Sequence, residues 1–204
     1  MKQLVVAITG ASGAPYVRRL VDVLAQNDVG MHLVVSPMGR RVLLDELGLE
    51  EVTIESLAGR PLPNATIYPH RDLGARIASG SFLTDGMIIC PCSSHTLAAV
   101  ASGLGDNLVT RAALVTLKEA RRLVLVPREM PVSQIELANM LRISQAGGII
   151  CPACPGFYLL PKTVDDLVDF VVGRVLDLFG VPHRLRTRWE PECNARAAAA
   201  PGER

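Results

Sequence analysis

The stretch Leu4-Val5-Val6-Ala7-Ile8-Thr9-Gly10-Ala11-Ser12-Gly13-Ala14 decides the fold of this chain. Its uninterrupted apolar run is typical of a strand buried on both faces of a parallel sheet, and a helix is predicted to begin at Ala14. Gly10 and Gly13 allow the intervening turn to approach a ligand closely, while the helix presents free N–H groups and a positive dipole end. The stretch predicts an anion site suited to a phosphate, although a turn that only connects strand to helix would look similar.

The glycine spacing distinguishes between classes of nucleotide. A dinucleotide site has the pattern G-x-G-x-x-G and an acidic residue about 20 positions later. Here the glycines are spaced differently, and the next predicted strand, Met31–Val35, is followed by Ser36. NAD is therefore disfavoured. A mononucleotide such as FMN, whose single phosphate needs N–H groups and hydroxyls, fits Ser12 and Ser36 better.

The overall composition excludes several classes of partner. A hydrophobic fraction of 49% and a net charge of +1 provide no strongly basic surface for nucleic acid or an anionic membrane. The 204-residue chain has no apolar run near the roughly 18 residues of a membrane span, and its N-terminus has no signal-peptide pattern. We therefore expect a cytoplasmic protein that binds neither nucleic acid nor membrane.

Five cysteines without a secretion signal indicate reduced thiols. Four of them form two close pairs, Cys90-Pro91-Cys92 and Cys151-Pro152-Ala153-Cys154, which raises the question of a zinc site. Both pairs follow apolar strands, and free cysteine is often buried, so packing in the core at strand ends is the better interpretation. We expect no bound metal.

Strands and helices alternate along the rest of the chain. Further strands are predicted at Gly86–Cys90, Leu123–Val126 and Gly148–Ile150. Helices are predicted at Ala14–Gln26, Pro37–Leu47, around Leu97–Ala101, from Asn107 to about Ala120, from Ser133 to Gln145 and from Thr163 to Phe179, with a short one at Asp72–Ala78. Most of residues 50–69 is left unassigned.

This alternation predicts a single-domain Rossmann-like (flavodoxin-like) α/β fold, a three-layer arrangement of a parallel sheet with helices on both faces. The domain is expected to span residues 1–182. The tail, residues 183–204, contains the only tryptophan, Trp189, and is expected to pack at a subunit interface.

Polar turns follow the predicted strands. Ser93-Ser94-His95-Thr96 comes after one strand, and Arg128 with Glu129 comes after the next. Alone, the first would be an ordinary helix cap and the second a surface ion pair of little energetic value. Because carboxyl ends of parallel strands share one edge of the sheet, where ligands bind in open α/β folds, we expect these turns to meet there. Arg174 lies at the edge of the last helix's apolar stripe, from which it could reach a pocket or extend into solvent.

Six motifs in order resemble the UbiX/Pad1-like flavin prenyltransferases. They are Thr9-Gly10-Ala11-Ser12-Gly13-Ala14-x-Tyr16, Cys90-Pro91-Cys92-Ser93-x-x-Thr96, Arg111-Ala112-Ala113, Leu117-Lys118-Glu119, Pro127-Arg128-Glu129-x-Pro131 and Pro155-Gly156-Phe157-Tyr158. The resemblance implies transfer of a dimethylallyl group from dimethylallyl monophosphate to N5 of reduced FMN, followed by ring closure at C6. It also implies a metal-independent reaction, a homo-oligomer, specifically a dodecamer, and a UbiD-type decarboxylase as recipient of the prenylated FMN.

The resemblance further implies roles for individual residues. FMN would be held by Gly10, Ala11, Ser12, Ser36, Ser93, Ser94, His95, Thr96 and Arg128. The prenyl phosphate would be held by Arg111, Lys118, Arg128, Glu129, Tyr158, Arg174 and Trp189, some of them across a subunit interface.

Ser12, Lys118 and Glu129 are the implied catalytic residues. Lysine and arginine donors would stabilise the departing phosphate, and apolar walls would keep water from the allylic cation. Either Glu129, or released phosphate acting through Ser12, would accept the C6 proton. His95 occupies a variable position in its turn and is given no catalytic role.

Two other interpretations stay open. Cysteine decarboxylases resemble the same fold but depend on an active histidine and on asparagine-rich motifs, in place of which this chain has Pro91-Cys92-Ser93-Ser94-His95-Thr96. A non-catalytic FMN-binding accessory subunit of an aromatic acid decarboxylase would need no second phosphate site. Four residues therefore argue against it: Lys118, Glu129, Tyr158 and Arg174. The family often has histidine after the Phe-Tyr pair, whereas Leu159 stands here, which could alter the prenyl phosphate pocket. The sequence does not distinguish a monophosphate donor from a diphosphate donor.

Overall fold

The computed structural model of the chain describes residues 1–188, so Trp189 and the rest of the tail lie outside the described residues. The strands are β1 (Gln3–Ile8), β2 (Gly30–Val35), β3 (Ala65–Tyr68), β4 (Gly86–Cys92), β5 (Arg122–Pro127) and β6 (Ile149–Ile150). The helices are α1 (Ala14–Gln26), α2 (Pro37–Leu47), α3 (Ile54–Ala58), α4 (Ser94–Ala101), α5 (Leu108–Lys118), α6 (Gln134–Gln145) and α7 (Val164–Phe179).

The strands form one parallel sheet in the order β3-β2-β1-β4-β5-β6. The chain adds strands outward from β1 on one side and then returns to add them on the other, which is the doubly wound arrangement. β1 and β4 are adjacent, so the order of winding reverses between them. Their carboxyl ends therefore flank the crevice in which such folds bind ligands.

Both faces of the sheet are covered. Leu4, Val6 and Ile8 of β1 pack in one core with α1 and α7, whereas Val5 and Ala7 pack in a second core with α4 and α5. Successive residues of a strand point to opposite faces, so an apolar run without alternation is what a sheet covered on both sides requires. The predicted three-layer α/β fold is confirmed.

Three local predictions need correction. The unassigned residues 50–69 contain α3 and the edge strand β3, and the helix predicted at Asp72–Ala78 is a single 3₁₀ turn, Arg76–Ala78. β4 extends past Cys90 to Cys92, with a shift of its register against β5. The change in β4 moves the carboxyl end of that central strand by two residues, and the other changes lie outside the central strands.

The two cysteine pairs differ in environment. Cys90 and Cys92 are buried in the core, as predicted, and burial raises the pKa of both thiols, that of Cys92 to about 12. Cys151 is half-buried and packs against the core, whereas Cys154 is exposed, so the prediction of core packing was wrong for Cys154. Within residues 1–188, no group of three or more His, Cys, Asp or Glu side chains is arranged to hold a metal ion.

Across residues 1–188, no helix combines the length and apolar character that a membrane crossing requires.

His32 of β2 is a buried polar residue with a complete set of partners. Its Nδ1 lies 3.0 Å from the Tyr68 hydroxyl, and its Nε2 lies 3.1 Å from Oε1 of Gln3. The ring also meets Phe82 edge to face, with centroids 5.0 Å apart. Burial, and then the charge of Arg76, lower the pKa of His32 below its ordinary value.

We expect His32 to make the stability of the fold depend on pH. As the pH falls below about 6.5, the unfolded chain takes up a proton on this histidine while the folded chain resists it, so the free energy of unfolding decreases. His32→Gln should flatten that decrease, measured by urea unfolding at pH 7.5 and 5.5 at one protein concentration. The same change at the exposed His95 is the control and should retain the wild-type slope. Equal slopes for His32→Gln and wild type would contradict this assignment.

Candidate functional site

Thr9 joins the turns that follow β1 and β4. Its hydroxyl donates to the carbonyl of Pro91 at 2.9 Å and accepts from the backbone N–H of Ser93 at 2.8 Å. The backbone N–H of Thr9 also donates to Pro91 at 3.2 Å. The residue is only 1% exposed, so these bonds are shielded from water and hold the two turns at a fixed separation.

The β2 turn joins the same edge. The N–H of Ser36 donates to the carbonyl of Ile8 at 3.0 Å, which brings the start of α2 beside the β1 turn. A Cβ atom added at Gly10 would collide with Cβ of Met38, and Gly13 has a φ of +133°, a conformation that side chains rarely adopt. Gly10 is therefore required by the close approach of α2, and Gly13 by its backbone conformation.

Three helix N-termini open onto this edge. Ser36 caps α2 by accepting from the N–H of Gly39 at 3.0 Å, and Ser93 caps α4 by accepting from the N–H of Thr96 at 3.3 Å. α1 has no side-chain cap from its own first residues. Its N–H groups are instead bound by a residue from another helix.

Glu46, near the end of α2, provides that bond. Its Oε2 accepts from the N–H of Gly13 at 2.9 Å and from the N–H of Ala14 at 2.8 Å. The sequence predicts a site for a phosphate at this helix end, whereas in the structure the protein's own carboxylate binds these N–H groups. Sequence reasoning missed Glu46 because it lies about thirty residues from the turn, and only its place near the end of the helix after Ser36 could have drawn attention to it.

Arg128 and Glu129 extend from the end of β5 across this edge. Nε of Arg128 donates to the carbonyl of Ser12 at 3.1 Å, and the hydroxyl of Ser94 donates to Oε2 of Glu129 at 3.1 Å. We call the resulting group the carboxyl-edge cluster. It comprises Gly10, Ala11, Ser12, Ser36, Glu46, Ser93, Ser94, His95, Thr96, Arg128 and Glu129.

Arg111 and Lys118 lie elsewhere. They are seven residues apart on α5, two helical turns, so both project from one exposed face. Nε of Arg111 donates to the carbonyl of Ala78 at 3.1 Å, and Lys118 pairs with Glu119. We call Arg111 and Lys118 the α5 cation pair.

Lys118 of the α5 cation pair lies far from the carboxyl-edge cluster. α5 ends at Lys118, just before β5 begins at Arg122, whereas Arg128 follows the far end of β5. Six strand residues span about 20 Å. Within one chain, Lys118 therefore lies at the opposite edge of the sheet from Arg128 and Glu129.

Tyr158 and Arg174 form a third group on the α7 side. The Tyr158 ring packs edge to face against Phe170, with centroids 5.6 Å apart, and Nη1 of Arg174 binds Oδ2 of Asp177 at 3.2 Å. Leu159, the departure from the family pattern, is buried. It lines a groove of about 1020 Å³ between α1, α7 and the 156–162 loop, whose walls include no residue of the carboxyl-edge cluster.

Comparison with known proteins gives the site its context. The Flavoprotein family model matches residues 1–176. The chain is 48% identical to the flavin prenyltransferase UbiX of Halalkalibacterium halodurans, over 92% of this chain and 93% of the relative. It is 43% identical to the flavin prenyltransferase UbiX of Pseudomonas aeruginosa, over 92% of this chain and 94% of the relative.

Solved structures show the same similarity. A dodecameric FMN-dependent UbiX-like decarboxylase from Escherichia coli O157:H7 superimposes with a TM-score of 0.82 at 45% identity, over 92% of this chain and 99% of that one. AnUbiX (PadA1), in complex with FMN and dimethylallyl pyrophosphate, superimposes with a TM-score of 0.82 at 41% identity, over 93% of this chain and 99% of that one. The peptidyl-cysteine decarboxylase EpiD, at 14% identity and a TM-score of 0.61, shares the fold alone.

The contact between Gly10 and α2 can be tested by adding one methyl group. Gly10→Ala should force α2 away from the β1 turn and destabilise the protein by about 1–3 kcal/mol, the usual cost of overpacking. Thermal unfolding should show a melting temperature lower by several degrees. Gly74→Ala is the matched control, because the added atom there meets only the flexible carboxylate of Asp72. Equal melting temperatures for the two variants would show that α2 does not constrain Gly10.

Proposed function

Since the chain belongs to the Flavoprotein family, and within it to the UbiX-like flavin prenyltransferases, we propose that it transfers a dimethylallyl group from a dimethylallyl phosphate to N5 and C6 of reduced FMN. The observation that carries this proposal is that two separate sets of side chains and N–H groups among the described residues have the chemistry to bind a phosphate. One is the carboxyl-edge cluster, and the other comprises the cations on α5 and α7. An FMN-binding accessory subunit would need only the first.

The carboxyl-edge cluster fits FMN. Its donors are hydroxyls, the N–H groups of helix N-termini and one arginine, a set suited to a phosphate and a polar ring edge. Gly10, Ala11 and Ser12 would approach through their backbone, while Ser36, Arg128 and the turn at 93–96 would supply side-chain donors. When bound, reduced FMN supplies the nucleophilic flavin nitrogen.

The donor phosphate would be held by cations from more than one subunit. Lys118 lies at the edge of the sheet opposite Arg128 and Glu129, so one chain alone does not bring these three residues together. A neighbouring copy that places its α5 against the carboxyl edge would bring Lys118 to the donor phosphate beside Arg128 and Glu129. Tyr158, Arg174 and Trp189 would also contact this phosphate. Lys118 and the arginines would then stabilise the charge on the departing phosphate.

Exposed apolar side chains support such an assembly. α6 buries only Asn139 and Ile143, while Met130 before it is 86% exposed and Ile135 is 73% exposed. An apolar face of this kind on a globular protein usually marks a contact with another molecule. Together with the dodecameric relative, it supports a homo-oligomer, which we propose is a dodecamer.

Glu129, or released phosphate acting through Ser12, is our proposed acceptor of the C6 proton. Glu129 is exposed at the end of β5 and accepts from Ser94, and it can take the proton that ring closure releases from C6. Released phosphate beside Ser12 is the alternative acceptor. Apolar contacts between subunits would exclude water from the allylic cation while the bond forms.

The product defines the wider role that we propose. Prenylated FMN would pass to a UbiD-type decarboxylase, and we place the enzyme in the cytoplasm with that client. Membership of the family supports this assignment.

The reaction itself is the first test. Purified protein incubated without oxygen with reduced FMN and dimethylallyl monophosphate, or the diphosphate in a parallel sample, should release a flavin heavier by one prenyl unit in mass spectrometry. Unmodified FMN from both samples, with binding confirmed by its absorbance spectrum, would instead favour the accessory-subunit interpretation.

A site shared between subunits predicts complementation. Lys118→Ala and Glu129→Gln should each slow prenylation by about 10²-fold or more while leaving FMN bound, since they act on the phosphate and the proton. Co-expression of the two variants with different tags, followed by tandem purification of mixed oligomers, should restore part of the activity. In a mixture, some sites combine an intact Lys118 from one copy with an intact Glu129 from the other.

The control for this experiment is a mixture of Glu129→Gln subunits carrying the two tags, which should stay at the activity of the single variant. A Lys118→Ala and Glu129→Gln mixture that shows no recovery would mean that each site draws both residues from one chain.

A further inference from the structure

Asp177 of α7 is the centre of an ion-pair network that has no role in the proposed reaction so far. Its Oδ2 binds Nη1 of Arg174 at 3.2 Å, while its Oδ1 binds Nε2 of His183 at 3.1 Å and lies 3.5 Å from Nη2 of Arg188. The Asp177 side chain is 22% exposed and that of Arg174 is 52% exposed. A sheltered carboxylate therefore holds one end of a guanidinium group whose remainder faces outward.

His183 orients this carboxylate from the other side. Its side chain is only 3% exposed, and its Nδ1 accepts from the backbone N–H of Leu185 at 3.2 Å. A backbone N–H can only donate, so Nδ1 carries no proton in this arrangement and Nε2 is the nitrogen that donates to Asp177. The ring thus connects the backbone of residues 182–188, which we call the strap, to the carboxylate on α7.

Gly173 allows the strap to lie directly on α7. A Cβ atom at this position would collide with Cγ2 of Thr187 and would lie 3.1 Å from Cε1 of His183. Thr187 is 2% exposed. The strap is therefore seated against the helix at the residue immediately before Arg174, and its last described residue, Arg188, returns to Asp177.

We propose that Asp177 is a positioning residue for Arg174, which it holds in the orientation that meets the phosphate of the dimethylallyl donor, with His183 fixing the carboxylate in turn. This inference rests on the proposed function. An exposed ion pair one helical turn apart adds little to stability, but an arginine ordered before binding loses less side-chain entropy when the ligand arrives. The network should therefore influence the affinity for the donor more than the stability of the fold.

The charges agree with this role. The two positive charges of Arg174 and Arg188 exceed the single negative charge of Asp177. The network therefore keeps a net positive charge, which attracts a phosphate. Only Nη1 of Arg174 binds Asp177, which leaves the other guanidinium nitrogens available to a ligand.

The test is steady-state kinetics with the donor phosphate varied at saturating reduced FMN. Asp177→Asn should raise KM for the donor by about tenfold, the change expected when one charge-assisted hydrogen bond is lost, with kcat and FMN affinity close to wild type. His183→Gln should raise KM in the same direction by a smaller factor. Asp169→Asn is the matched control, because it breaks a comparable ion pair of α7, with Arg19, away from Arg174, and its KM should be unchanged.

A double-variant comparison separates positioning from a merely structural role. If Asp177 acts through Arg174, then Asp177→Asn added to Arg174→Ala should raise KM no further than Arg174→Ala alone. The inference would be overturned if the effects of Asp177→Asn and Arg174→Ala on KM were additive, or if KM were unchanged in both Asp177→Asn and His183→Gln. In either case, prenylation by the wild-type protein would still support the proposed function. A wild-type protein that prenylates with neither donor would overturn the proposed function, and the inference with it.

Discussion

The hydrogen bonds of the Thr9 hydroxyl are the constraint on which the rest of the site depends. One buried oxygen joins the turns after β1 and β4, at the point where the order of winding reverses. A buried hydroxyl that lost these partners would carry the full cost of desolvation, so the two turns are held together firmly. Gly10 and the start of α2 then pack against this fixed point, and the N-termini of α1, α2 and α4 open onto the same edge.

Much of this arrangement could be predicted from the sequence because parallel strands leave long apolar runs. β1, β2, β4 and β5 are buried along almost their whole length, and the polar residues after them marked the functional edge. β3 escaped detection since it is a short edge strand, only partly buried and flanked by prolines. Glu46 escaped because a contact between the end of one helix and the start of another has no signature in local spacing. The separation of Lys118 from Glu129 becomes visible only when α5 is placed against β5.

The separation of these residues has a physical consequence for the chemistry. A site assembled at the junction of subunits can surround a reactive cation with apolar walls that a shallow edge on one chain does not provide. A neighbouring subunit would remove the exposed apolar side chains of α6 from water. It would also bring the cations of α5 to the ligand. Assembly and catalysis would then depend on the same contacts.

The position of Glu46 narrows where the phosphates can bind. The N–H groups of Gly13 and Ala14 already have a carboxylate as partner, and a phosphate placed on them would meet a like charge at short range. Ser36 caps α2 with a hydroxyl that carries no charge, whereas the carboxylate of Glu129 accepts from Ser94 in the first turn of α4. The N-terminus of α2 therefore accepts an anion without that repulsion. We therefore propose the N-terminus of α2, capped by Ser36, as the binding site of the FMN phosphate.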